Sequence, residues 1–140
     1  MIITIVSSSV FVKQMVEYRN RLIELGHQVN LHEHYIAQAR GEMLDLVGRM
    51  NREHASVKKE FDYIRYHYHE IVGSDAILVL NFDKNDIKNY IGGNTLMELG
   101  FAHVHNKKIF LLNPIPDINY CDEIEAMDPV VIGGDLGLIV

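Results

Sequence analysis

The sequence has almost no cysteine and no long apolar run. Its single cysteine, Cys121, cannot form an internal disulfide, and the N-terminal residues lack the basic flank and apolar stretch of a secretory signal peptide. We therefore expect a cytoplasmic protein. No apolar run approaches the roughly 20 residues that a membrane-spanning helix needs, so the sequence predicts no membrane insertion.

Positive charge is also scarce. Lys and Arg number 13 against 19 Asp and Glu, which gives a formal net charge of −6. No basic stripe with interleaved aromatic residues is present to neutralise phosphates, so we expect no polynucleotide partner. A small nucleoside or nucleotide remains compatible with this charge, because backbone amides can hold an anion whatever the net charge is.

The composition gives no sign of a second domain. The chain has 140 residues, of which 48% are apolar and 23% charged, which is ordinary for a globular protein. No internal repeat, low-complexity segment or charge run divides it. The sequence therefore predicts one domain over residues 1–140, with a core of its own.

Short apolar runs alternate with helical patterns along the chain. Helical periodicity is visible at residues 11–25 and 57–71, and a further helix is predicted from about residue 94 to 105. Residues 35–54 are polar, show only a weak helical pattern and are interpreted as a loop or lid. Because strands and helices alternate, we predict an α/β fold with a five-stranded parallel sheet and helices on both faces, of the flavodoxin-like or Rossmann-like class. The predicted strands are residues 2–6, 29–31, 76–80, 109–112 and 130–132.

In such a sheet the ligand binds beyond the carboxyl ends of the strands, where the strand order reverses. The serines after the first strand could hold an anion or a sugar hydroxyl, or could simply cap a helix. The chain has neither the G-x-G-x-x-G nor the P-loop signature. The candidate substrate-binding residues are Ser7, Ser8, Ser9, Asn81, Gly92, Gly93, Asn94 and Asn113.

Glu98 is the candidate catalytic residue. Gly92 and Gly93 let the backbone approach a ligand closely, and Glu98, about one turn into the following helix, can point toward the crevice. A partly desolvated carboxylate there could be a nucleophile or a general base, whereas most helical glutamates are solvated surface residues. The neighbours of Glu98 are apolar or small, which favours a buried carboxylate.

The motif Met97-Glu98-Leu99-Gly100-Phe101-Ala102 and the flanking residues 75–81 and 107–113 resemble the nucleoside 2-deoxyribosyltransferase superfamily, which includes deoxynucleotide N-hydrolases. The similarity covers nearly the whole chain in element order. It implies that Glu98 attacks the anomeric carbon of a nucleoside and forms a glycosyl-enzyme ester, which water or another base resolves. It also implies a homodimer or a higher homo-oligomer. We expect no cofactor.

Three positions depart from the family pattern. His67 stands where the family usually has an aspartate; it could handle a proton at the leaving base, or could be a solvated or packed histidine. Gly92 replaces the Asp of transferases or the Ser of nucleotide hydrolases, and Glu125 replaces a phosphate-contacting serine. Ser8 remains as a match for a phosphate contact.

These departures leave three functions open. The leading one is cleavage or transfer of an N-glycosidic bond in a nucleoside or nucleotide-like substrate. The alternative is a non-catalytic nucleotide-binding or sensing module with the same fold, and a third is a flavodoxin-like interaction domain.

The other histidines and two aromatic residues give weaker indications of a function. His32 and His34 would share one side of a strand, but neither they nor His67 with His69 have further ligands nearby in sequence, so no metal site is expected. Tyr90 and Phe11 could stack on a base or pack in the core.

Overall fold

The computed structural model describes residues 1–140 and contains one parallel sheet. The strand order is β2-β1-β3-β4-β5, and every neighbouring pair is parallel. This confirms the predicted α/β class, and the strand bounds differ from the predicted ones by at most one residue at an end. The strands are β1 Ile2–Val6, β2 Gln28–Asn30, β3 Ala76–Val79, β4 Lys108–Leu111 and β5 Val130–Val131.

Seven α-helices and two short 3₁₀ turns accompany the strands, and the second 3₁₀ turn follows β5. None of these helices combines the length and the apolar composition needed to cross a membrane. The 3₁₀ turns cover Ser9–Phe11 and Leu136–Leu138. The helices are α1 Val12–Glu24, α2 Glu33–Ala39, α3 Leu44–Arg52, α4 His54–Phe61, α5 Tyr63–Val72, α6 Gly93–Val104 and α7 Cys121–Ala126.

Two apolar cores lie on opposite faces of the sheet. Leu78 of β3 faces the core that Met15 and Leu22 of α1 complete. Its neighbour Val79 belongs to the other core, which contains residues of α5, α6 and α7 such as Leu99. A strand buried on both faces needs apolar residues at every position, which is why β3 reads as a continuous apolar run.

The loop prediction for residues 35–54 was wrong, because α2 and α3 occupy most of this segment. Each of these helices buries little: α3 buries only Leu46 and α2 buries no residue fully, so the sequence shows only a weak apolar stripe. The single helix predicted over residues 57–71 is also wrong. It is two helices, α4 and α5, separated by Asp62, whose φ of 50° is left-handed and ends α4.

Helices α3 and α4 form a small unit with its own apolar cluster. Leu46 of α3, Val57 of α4 and Tyr63 at the start of α5 are the buried members, with Met43 and Met50 packed against them. Arg49 of α3 also pairs with Glu60 of α4 at the surface. We call this unit the α3–α4 cap. It lies beside the carboxyl ends of β1 and β3, because residues of the cap and residues that follow these strands line the same cavity.

Candidate functional site

A cavity of about 380 Å³ lies at the carboxyl ends of β1 and β3. These two strands are neighbours, but the chain leaves β1 for α1 on one face and β3 for α6 on the other, so the cavity sits where the strand order reverses. This is the predicted position of the ligand crevice. The cap contributes to the wall as well, through Met50 of α3 and through His54 and Lys58 of α4.

Glu98 lies in the wall of this cavity. It is only 8% exposed, as its apolar neighbours in the sequence predict. Helix α6 begins at Gly93, so the side chain is little more than one turn from the end of the helix that faces the cavity. Glu98 is therefore a buried carboxylate that faces a ligand-sized space.

His67 is the hydrogen-bonding partner of Glu98. Its Nδ1 lies 3.0 Å from Oε1 of Glu98, and helices α5 and α6, which carry the two residues, pack side by side. When the Glu98 carboxylate is ionised it only accepts hydrogen bonds, and Nδ1 of His67 is then the donor in this contact. Nε2 is then the imidazole nitrogen left to exchange a proton with a ligand. The structure brings together the two residues that the sequence singled out as catalytic candidates.

Gly92, Gly93 and Asn94 also line the cavity, at the start of α6. A Cβ at Gly92 would lie 3.1 Å from Cε1 and 3.2 Å from Oη of Tyr90, so the absence of a side chain lets the Tyr90 ring pack there. The φ of Gly92 is −85°, which any residue can adopt. Close packing, and not an unusual backbone conformation, therefore explains this glycine.

The three serines after β1 also line the cavity. Oγ of Ser7 donates to the carbonyl oxygen of Leu80 at 2.7 Å, and Oγ of Ser8 accepts from Nζ of Lys84 at 2.8 Å. Ser8 precedes the 3₁₀ turn that begins at Ser9, yet its side chain makes no capping hydrogen bond. The side chain of Ser8 therefore does not cap this turn.

Asn81 and Asn113 do not line the cavity. They bond to each other across β3 and β4: the backbone N–H of Asn113 donates to Oδ1 of Asn81, and Nδ2 of Asn81 donates to the carbonyl oxygen of Asn113, both at 2.9 Å. Nδ2 of Asn113 also donates to the carbonyl oxygen of Asn81 at 3.0 Å. These bonds occupy the amides in joining two strand ends.

Tyr35 and Lys84 are among the cavity residues that the sequence did not single out. Tyr35 comes from α2, and burial, with the negative charge of Glu98 as the second cause, raises the pKa of its hydroxyl. Lys84 comes from the loop after β3, with its ammonium 5.4 Å from the centre of the Tyr90 ring. A lone lysine in a polar loop has no motif, and Tyr35 fell in the segment predicted as a loop.

A cluster of histidine and tyrosine rings lies behind His67. The ring of His32 is 4.3 Å from that of His34 and 4.4 Å from that of Tyr66, measured between centroids. Burial, with the nearby His34 and His67 as the second and third causes, lowers the pKa of His32 to about 4. His32 and His34 are not on a strand as predicted, since His32 caps α2 by accepting from the backbone N–H of His34 at 2.9 Å.

The remaining residues named from the sequence lie in different environments. No three histidine, cysteine, aspartate or glutamate side chains lie close enough together to hold a metal ion. Of the aromatics considered for base stacking, Tyr90 lines the cavity, whereas Phe11 packs against Phe82 with ring centroids 5.1 Å apart. Glu125 is exposed on α7 and does not line the cavity.

Comparison with other proteins adds no relative. No protein-family model, no curated protein and no solved structure matches this chain. The arguments about its function therefore come from its own residues and from the resemblance of its motif.

Proposed function

We propose that the protein cleaves or transfers the N-glycosidic bond of a nucleoside or nucleotide-like substrate, with Glu98 as the nucleophile. The observation that carries this proposal is the buried Glu98 carboxylate, which faces a cavity and accepts a hydrogen bond from His67 at 3.0 Å. A nucleophilic carboxylate needs partial desolvation and a fixed orientation, and this arrangement supplies both.

The proposed reaction has two steps. The free oxygen of Glu98 attacks the anomeric carbon, the bond from that carbon to the base nitrogen breaks, and its electron pair leaves with the base. Protonated His67 gives the base a proton from Nε2 and keeps its Nδ1–H on Glu98. Water, or a second base, then attacks the anomeric carbon, the ester bond to Glu98 breaks, and the proton of the attacking group returns to Nε2.

The size and lining of the cavity suit a nucleoside. Its volume of about 380 Å³ falls within the range of small-molecule sites, roughly 300–1,000 Å³. Tyr35, Tyr90 and Phe101 in its wall offer aromatic surfaces on which a base can stack. The serines after β1 offer hydroxyls for the sugar or its substituents.

The direct test is base release. The purified protein is incubated with a panel of nucleosides and nucleoside monophosphates, with and without an acceptor base, and free base is measured by chromatography. We expect turnover by the wild type and a loss of at least about 1,000-fold in Glu98→Gln. Glu123→Gln is the matched control, because Glu123 is exposed on α7 and does not line the cavity.

The covalent intermediate gives a second readout. Acid quenching during turnover should trap a glycosyl group on the peptide that contains Glu98, detected by mass spectrometry. If the wild type binds a nucleotide tightly in calorimetry but releases no base from any substrate, the non-catalytic binding module replaces the enzyme as the proposed function.

The proposed enzyme is also a homo-oligomer, as the family resemblance implies. Light scattering coupled to gel filtration should give the mass of a dimer or a larger assembly. A mass equal to the 16.1 kDa of one chain would contradict this part of the proposal.

A further inference from the structure

Tyr63 is a buried tyrosine that the proposed reaction does not use. It is the first residue of α5, it is only 5% exposed, and it lines the cavity. Burial, with the charge of Glu60 as the second cause, raises the pKa of its hydroxyl, so the hydroxyl stays protonated at neutral pH. A buried polar group of this kind needs a hydrogen-bonding partner.

The ring of Tyr63 is stacked on the ring of His67. The two residues are four positions apart in α5 and therefore lie on the same face of the helix. Their ring centroids are 6.3 Å apart and their planes differ by 24°. The other rings around His67, those of Tyr35, Tyr66 and His32, are inclined to it by 46°, 66° and 73°. Tyr63 is therefore the ring best placed to fix the plane of the imidazole.

A hydrogen bond holds Tyr63 at its other end. Its Oη lies 2.6 Å from Nδ1 of His34, which belongs to α2. The contacts therefore run without interruption from His34 through Tyr63 and His67 to Glu98 on α6. Because α2 and α6 hold the two ends of this series, neither Tyr63 nor His67 can rotate without breaking a hydrogen bond or a ring contact.

The α3–α4 cap closes over Tyr63. Leu46 of α3 and Val57 of α4 are buried in the same apolar cluster as Tyr63. The cap is continuous with α5 through Asp62, the residue with the left-handed backbone conformation. Because the cluster is small, the cap can separate from Tyr63 at a low cost in buried apolar surface. Opening of the cap therefore removes the packing that keeps Tyr63 in place.

The orientation of His67 matters because proton transfer is directional. In the proposed reaction Nδ1 stays on Glu98, and Nε2 faces the leaving base. Rotation of the imidazole breaks the first contact and turns Nε2 away from the second. A positioned general acid contributes roughly 100- to 10,000-fold to a rate, and a misaligned one loses much of this.

We propose that Tyr63 is a positioning residue that aligns the ring of His67 for proton transfer, and that this alignment depends on the closed α3–α4 cap. This inference rests on the proposed function, because it explains how the acid of the same site is held. The closed cap packs on Tyr63, and Tyr63 fixes the plane of the imidazole. When the cap opens to admit a substrate or to release a base, His67 loses this alignment. Protonation of the base is thereby confined to the closed site.

The kinetic test uses leaving bases of different basicity. Values of kcat and KM are measured for uridine, 5-fluorouridine and their 2′-deoxy forms, because fluorine lowers the basicity of the departing base and makes its protonation less important. Tyr63→Leu removes the stacked ring, and Tyr63→Phe removes only the hydroxyl. Tyr68→Phe is the matched control, since the Tyr68 hydroxyl also lies beside a histidine, 2.9 Å from Nε2 of His105, but Tyr68 does not line the cavity.

We expect Tyr63→Leu to lower kcat for the unsubstituted nucleoside by about 10- to 100-fold, part of the effect of a general acid, with less than about a 3-fold change in KM. The loss should be smaller for the fluorinated nucleoside. Tyr63→Phe keeps the ring but frees it from His34, so its loss should lie between those of the wild type and Tyr63→Leu. Tyr68→Phe should match the wild type. Equal losses on both nucleosides would overturn the positioning role.

A second measurement needs no turnover. The Nδ1–H of His67 gives a separate proton NMR signal only while its hydrogen bond to Glu98 protects it from exchange with water, and His67→Asn identifies this signal. Exchange should be faster in Tyr63→Leu, and also in Val57→Ala, which changes only the cap cluster. It should be unchanged in Tyr68→Phe. An exchange rate that neither Tyr63→Leu nor Val57→Ala alters would contradict the dependence on the cap.

The two measurements separate this inference from the proposed function. If no nucleoside releases its base, but exchange of the His67 proton depends on Tyr63 and Val57, the positioning of His67 stands and the catalytic proposal fails. If base is released at rates that do not depend on Tyr63, and exchange of the His67 proton is unchanged, the enzyme stands and the positioning role fails.

Discussion

Single residues decide how much of this site can be read from the sequence. Glu98 could be found because its local motif is distinctive and its neighbours are apolar, which indicates burial. His67 was a weaker candidate, because a histidine in a helix has many ordinary environments; only the packing of α5 on α6 shows that it contacts Glu98. Lys84 could not be identified from the sequence, because its role in the cavity depends on its contact with Ser8, which is far away in the sequence.

His32 makes a prediction about acid stability. Burial lowers its pKa in the folded protein to about 4 from the ordinary histidine value of 6.5, with His34 and His67 as the second and third causes. The unfolded chain therefore binds more protons between these two values, so the free energy of unfolding should fall as the pH drops from about 6.5 toward 4. The contribution of His32 should be about 1 kcal/mol, because partial exposure reduces the full effect.

The measurement is urea unfolding across this pH range. His32→Asn removes the titrating ring but keeps a side-chain acceptor for the start of α2, so its stability should depend less on pH than that of the wild type. His69→Asn, at an exposed position of α5, should follow the wild-type curve. Parallel curves for wild type and His32→Asn would show that this prediction is wrong.

At the scale of elements, the sequence predicts a strand or helix correctly when that element buries much apolar surface. The strands β1, β3 and β4 are buried nearly throughout, so their sequences are apolar and the prediction found them. Helix α7 is short and buries only Ile124, so no pattern indicates it. The break at Asp62 left the apolar spacing of α4 and α5 unchanged, and periodicity cannot detect such a break.

The α3–α4 cap should open more readily than the sheet. Its buried cluster has three members, Leu46, Val57 and Tyr63, compared with ten and twelve in the two cores of the sheet. Amides of residues 44–61 should therefore exchange with deuterium much faster than those of β1, β3 and β4. A bound substrate should slow this exchange, because Met50, His54 and Lys58 of the cap line the cavity.

Two substitutions test whether the small buried cluster of the cap causes its faster amide exchange. Val57→Ala should weaken the cap by about 2 kcal/mol and speed exchange at residues 44–61 by roughly 30-fold, with no change in the sheet. Leu44→Ala is the control within α3, because Leu44 is 72% exposed. Equal exchange in the cap and in β3 of the wild type would contradict the expectation.

At the scale of the whole molecule, we expect the sheet to join the two cores into one cooperative unit. Leu78 and Val79 are consecutive residues of β3 that are buried in opposite cores. Because a strand cannot lose its order on one face alone, the loss of either core should unfold the other. The prediction of one domain over residues 1–140 therefore has a direct test in the cooperativity of unfolding.

Leu78→Ala and Val79→Ala should each lower the urea midpoint of a single transition, by about 2 to 4 kcal/mol in the free energy of unfolding, because each leaves a cavity in a packed core. Circular dichroism and tyrosine fluorescence should give coincident curves; the chain has seven tyrosines and no tryptophan. Val104→Ala, at a position that is 75% exposed, should match the wild type. If Leu78→Ala instead separated the two curves into distinct transitions, the faces of the sheet would unfold independently and the chain would not be one cooperative domain.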